Sequence, residues 1–105
     1  MKLNEILLKN DVTLSFEVFP PKVTSDYETV QRAAYGVAKL RPSYMSVTYG
    51  AGGSTRGNTL KIAKGIQEEY GVTTIAHLTC VGATKEGIRQ ALEEMRAAGI
   101  ENVLA

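Results

Sequence analysis

The sequence predicts an α/β protein in which parallel strands and helices alternate. Three observations carry this. Strand-like runs start near residues 12, 44, 72 and 100, a period of about thirty residues. Between them, apolar residues recur at helical spacing. Proline or glycine closes each unit, at Pro20-Pro21, Pro42, Gly71 and Gly99. Alternating strands and helices imply a parallel sheet with right-handed crossovers. A thirty-residue unit matches either a βα barrel or a doubly wound sheet. A complete (β/α)8 barrel needs about 250 residues. If this is barrel sequence, 105 residues are less than half of it: a truncated TIM barrel, its first three to four strands, forming one partial domain over residues 1–105.

The elements follow in order. Residues 3–9 form a short helical lead-in. Val12 to Phe19 alternates, with Leu14, Phe16 and Val18 on one face and Thr13, Ser15 and Glu17 on the other. Pro20-Pro21 cannot donate ladder hydrogen bonds and stops this strand. Ser25-x-x-Glu28 reads as a capping box, followed by Val30, Ala33, Ala34 and Val37 at helical spacing. Arg41-Pro42 ends that helix. Tyr44 to Tyr49 is the second strand and leads into Gly50-Ala51-Gly52-Gly53-Ser54-Thr55. A helix over 57–70 follows, with Gly71 as its C′ residue. Val72 to Cys80 is the third strand. Ile88, Ala91, Leu92, Met95 and Ala98 then stripe a helix that Gly99 closes, and Ile100 to Ala105 begins a fourth strand.

Composition narrows the function. The chain is 44% hydrophobic and 22% charged with a formal charge of +1, ordinary for a soluble globular protein. No bulk charge draws it to nucleic acid or a membrane, and no platform of interleaved aromatic and basic residues is present. No apolar run approaches the roughly 18 residues of a membrane span, and the start lacks the apolar core of a secretory signal. The single cysteine, Cys80, rules out an internal disulfide and a cysteine-based zinc cluster. Together these predict a reduced, cytoplasmic protein with no metal site.

The polar residues concentrate at strand ends. Glu17 sits in the apolar run Ser15-Phe16-Glu17-Val18-Phe19, where an ionised carboxylate is costly unless paired or neutralised. Glu17, Thr48 and His77 all fall near the carboxyl ends of their strands, so in a parallel sheet they surround one mouth. Each also has a plainer reading. Glu17 could pair with Lys22, His77 could be a core histidine, and Thr48 is an ordinary strand residue. Cys80 reads as a buried small hydrophobe. Tyr49 suits either sheet packing or ring contact with a ligand. The loop Gly50 to Arg56 exposes backbone N–H groups before a helix, yet lacks P-loop and G-x-G-x-x-G spacing. It fits close approach of a planar ligand better than a phosphate cradle.

Ser15-Phe16-Glu17-Val18-Phe19-Pro20-Pro21-Lys22, Ser46-Val47-Thr48-Tyr49-Gly50-Ala51-Gly52-Gly53-Ser54-Thr55-Arg56 and His77-Leu78-Thr79-Cys80 together resemble the bacterial 5,10-methylenetetrahydrofolate reductases. The resemblance runs over essentially the whole chain. It implies a (β/α)8 barrel of folate one-carbon metabolism and methionine biosynthesis. Such an enzyme passes hydride from NAD(P)H to FAD and then to methylenetetrahydrofolate, giving 5-methyltetrahydrofolate. By the same resemblance, Glu17 is the general acid that helps open the folate's imidazolidine ring. Thr48, Tyr49 and Ala51 line the flavin and nicotinamide, and His77 contacts the flavin. Val18 departs from the family, standing where many relatives have phenylalanine. The chain also stops before the family's Leu-Arg-Gly-Asp stretch, so the expectation is a parent enzyme that is active and a fragment that is not. Two other readings come from the residues alone. One is a non-catalytic half-barrel that self-associates into a homo-oligomer through its open sheet edge. The other is a stand-alone flavodoxin-like nucleotide binder.

Overall fold

A computed structural model describes residues 1–9, 12–50 and 56–105. Four strands, β1 (Ser15–Val18), β2 (Tyr44–Val47), β3 (Thr74–His77) and β4 (Asn102–Leu104), form one sheet in the order β1-β2-β3-β4. Every neighbouring pair is parallel. Helices α1 (Leu3–Leu7), α2 (Tyr27–Ala38), α3 (Arg56–Tyr70) and α4 (Lys85–Ala97) alternate with the strands. This is the strand order and alternation with which a (β/α)8 barrel begins. No helix among the described residues is long and apolar enough to cross a membrane.

The period-two alternation divides the sheet into two unlike faces. Met45, Val47, Thr74 and Ala76 are fully buried on one face. Met45, Val47 and Ala76 pack with Ile62, Ala63 and Ile66 of α3, Ala34 and Ala38 of α2, and Ala91 and Met95 of α4. Small residues on α2 and α4 let those helices approach the strands closely. The branched and long side chains fill the space between, each isoleucine or methionine contributing about 1.5–3 kcal/mol by its burial. The other face of the sheet is uncovered and carries Ser15, Glu17, Tyr44, Ser46, Ile75, His77 and Asn102.

Helix ends follow local chemistry, with one exception. Thr84 is extended (φ −84°, ψ 161°) and its hydroxyl accepts from the Gly87 N–H at 3.0 Å, capping α4. Gly99 (φ 75°) closes that helix in a Schellman motif: its N–H donates to Arg96 O, and the Ile100 N–H to Met95 O. Gly71 (φ 65°) ends α3 as expected. The Ser25-x-x-Glu28 box is not formed. A 3-10 turn over Thr24–Asp26 leads into α2, and Asp26 occupies the cap with helical backbone (φ −93°, ψ −1°) and no side-chain bond. A cap side chain reaches back to the first turn only from extended backbone, which this turn removes.

The strands are also shorter than their apolar runs. Val12 and Leu14 precede the sheet, and both are exposed. Leu14 keeps contact with the next unit through its backbone, its carbonyl accepting from the Ser43 N–H at 2.8 Å and its N–H donating to Ser43 Oγ at 3.2 Å.

Asn102 ties the amino-terminal end of the sheet to α1. Its Oδ1 accepts from the Leu3 N–H at 2.7 Å, while Nδ2 donates to Met1 O and Thr74 O at 3.1 and 3.3 Å. Beside it, the Met1 ammonium lies 3.0 Å from Glu101 and holds that carboxyl below its ordinary range.

Candidate functional site on the open sheet face

Parallel register arranges the open face in rows. Glu17 pairs with Ser46, Ser46 with Ile75 and Ile75 with Asn102, so these four form one row across the sheet. One row nearer the carboxyl ends, His77 pairs with Leu104. A groove of about 660 Å³ runs over this face, with Ile75 and Leu104 among its apolar lining and Glu17, Ser46 and His77 among its polar lining.

Glu17 stands exposed on β1, and Ser46 Oγ donates to its Oε2 at 3.0 Å. The carboxylate is therefore partnered by a hydroxyl from the next strand, and no ion pair among the described residues joins it to Lys22. The expectation that its sequence neighbours enclose it fails for a geometric reason. Phe16 and Val18 alternate to the opposite face and pack against the helix-side core. An apolar run in sequence is not an apolar shell in space.

His77, half-buried, ends β3 on the same open face. It lies two strands from Glu17, about 10 Å across the sheet. The two side chains thus bracket a space rather than touch. Thr48 follows directly after β2. Its N–H donates to Val18 O at 3.0 Å, and its carbonyl accepts from Thr59 Oγ1 at 2.7 Å. Thr59 is fully buried on α3, so the helix fixes the strand end from behind.

Tyr49 departs from this group. Its ring is buried in the helix-side core with Met45 and Val47, the packing alternative of the two sequence readings. It forms one wall of a smaller cleft of about 310 Å³ with Arg56, Thr79 and Thr84. Burial pushes its phenol up, partly opposed by the Arg56 guanidinium. Arg56 in turn meets Glu94 at 2.7 Å through Nη2 and 3.1 Å through Nε, joining α3 to α4. Ala51 and the glycine loop through Thr55 lie outside the described residues.

Cys80 is exposed, not buried. The strand ends at His77, so its alternation no longer governs residue 80; the thiol instead lies 3.7 Å from Leu78 O. Nowhere among the described residues do three or more His, Cys, Asp or Glu gather to hold a metal. Ser46 was legible as a residue of the polar face but not as the partner of Glu17. The signal that finds it is the strand register, which sets residues 17 and 46 directly opposite each other.

A parallel βα sheet with a carboxylate, a hydroxyl and an imidazole on one open face defines a member of the βα-barrel class. The chain belongs to the methylenetetrahydrofolate reductase family, whose model matches residues 2–105. It is 38% identical over 104 residues to methylenetetrahydrofolate reductase (NADH) 1 of Arabidopsis thaliana, covering 99% of this chain and 18% of that protein. It is 35% identical over 105 residues to the 5,10-methylenetetrahydrofolate reductase of Pectobacterium carotovorum subsp. carotovorum, covering 98% and 35%. For the Escherichia coli (strain K12) protein of the same name the identity is 33% over 105 residues, with 98% and 36% covered. The chain spans about a third of the length of these bacterial relatives.

Proposed function

We propose that the protein reduces 5,10-methylenetetrahydrofolate to 5-methyltetrahydrofolate with NAD(P)H and FAD, and that Glu17 is its general acid. The observation that supports this most is the placement of Glu17. In a chain of this family, it stands on the open sheet face, hydrogen-bonded and reachable, in the row beside that of His77.

The open face suits one side of a flavin. Ile75 and Leu104 offer apolar surface and His77 a polar group near the carboxyl end of β3, and Thr48 directly follows β2. Thr48 and His77 would hold the flavin there. Tyr49 supports that surface from behind, with its ring in the core, and Ala51 joins the set by resemblance alone. When bound, flavin supplies hydride transfer. The chain's own part is proton delivery. Glu17 gives its proton to one ring nitrogen of the folate, breaking O–H and forming N–H. The bond from that nitrogen to the bridging carbon then breaks, its electron pair staying on the nitrogen. The second nitrogen's lone pair forms the C=N⁺ that accepts hydride.

The test is purification of the full gene product, followed by flavin absorbance and NAD(P)H oxidation with methylenetetrahydrofolate as acceptor. A yellow protein that turns over folate is expected. A colourless one that takes up no added FAD would overturn the reading.

A further inference from the structure

We propose that Ser46 is a positioning residue for Glu17, holding its carboxyl plane and assigning the acid proton to one oxygen. This rests on the reading of Glu17 as the general acid and deepens it. The two residues are direct register partners on adjacent parallel strands. Their side chains therefore leave the same face at the spacing of neighbouring strands, about 4.8 Å. Ser46 Oγ donates to Oε2 at 3.0 Å. A serine hydroxyl has one proton to give, and here it is spent on Oε2.

Oε2 is thus an acceptor in both protonation states of Glu17. A neutral carboxyl carries its proton on Oε1, the oxygen that Ser46 leaves free. Once that proton has gone to the substrate nitrogen, the carboxylate left behind keeps the Ser46 O–H on Oε2. The hydroxyl therefore orients the donor before transfer and stays bonded after it. Glu17 has no other hydrogen-bonding partner among the described residues, and it is exposed. Without Ser46, its two terminal torsions turn freely and either oxygen can carry the proton. The backbone of β2 needs no hydroxyl at this position. Ser46 is half-buried, and its neighbours Met45 and Val47 provide the core contacts of that strand.

The experiment uses the flavin-loaded full gene product and four variants: Ser46→Ala, Ser46→Thr, Glu17→Gln and the double variant S46A/E17Q. For S46A, kcat for folate reduction falls about 10–100-fold, the scale of a misplaced catalytic group, while KM for the folate changes less than about twofold. S46T, which keeps the hydroxyl, restores kcat to within about threefold of the wild type. In the E17Q background, S46A has no further effect, because Ser46 acts only through the acid. Flavin content shows that each variant is folded. An S46A enzyme as fast as the wild type beside an impaired E17Q overturns the positioning role alone. So does an equal further loss when S46A is added to E17Q, or failure of S46T to rescue. An unimpaired E17Q overturns the assignment of Glu17 and this proposal with it.

Discussion

Gly65 sits in the middle of α3, where alanine is ordinarily better by about 1 kcal/mol. Here the packing reverses that preference. A Cβ built on Gly65 runs into Tyr35 Oη of α2 and comes within 2.9 Å of its Cζ. Tyr35 is not free to move aside without loss. Gln31 Nε2 donates to its hydroxyl at 3.2 Å, and its ring lies 5.1 Å from that of Tyr70 at 59°. Displacing it forfeits a hydrogen bond of about 0.5–1.5 kcal/mol and a ring contact of about the same size. Against the helix gain, Gly65→Ala should destabilise by up to roughly 2 kcal/mol, as overpacking does. The background Tyr35→Ala removes the obstacle, and there the same substitution should stabilise by about 1 kcal/mol. The coupling is thus roughly 1–3 kcal/mol. Urea denaturation followed by circular dichroism reads it, since an m of about 1 kcal/mol/M turns each kcal/mol into about 1 M of midpoint. If G65A shifts the midpoint by the same amount and sign in both backgrounds, the steric argument is wrong.

Asn102→Ala should cost about 2–3 kcal/mol, because it strips the partner from the Leu3 N–H and a donor from Met1 O and Thr74 O. Thermal melts of the variant should show the loss, and a Tm within a degree of the wild type would contradict the staple. Alkaline stability should fall above about pH 10, where tyrosine ordinarily ionises. Burial raises Tyr27, Tyr35 and Tyr49 from 10.0. The unfolded chain therefore loses these protons first, and their contribution is present below pH 10 and lost as pH climbs through the raised values. Urea midpoints measured from pH 8 to 12 should be flat and then decline, with Tyr49→Phe declining less.

Much of this architecture was legible because parallel βα units write their period directly into apolar spacing. Ile88, Ala91 and Met95 mark the inner face of α4, and Gly99 its end, with no tertiary information needed. Strand length was not legible in the same way. Val12 is as apolar as Val18, but only Val18 has a neighbouring strand to pair with, and pairing is a property of the sheet. Glu17 shows the same limit at the site. Its position near a strand's carboxyl end was readable, as was its face, yet its phenylalanine and valine neighbours implied an enclosure that alternation undoes. The Ser46 hydroxyl that meets it is twenty-nine positions away. Cys80 was misplaced because the strand's period was carried three residues past its last ladder partner.

The Asn102 side chain gives the fold an order in time. It joins residues 99 positions apart along the chain, and helix α1, at five residues, is too short to persist alone in water. During synthesis at about 5–20 residues per second, α1 waits on the order of 5–20 s for its dock to be made. The βα units can condense on one another as they emerge, but this staple forms only after Asn102 has been made. Any lesion in β4 therefore leaves the opening segment of the chain loose, and available to proteases, however sound the three strands between them are.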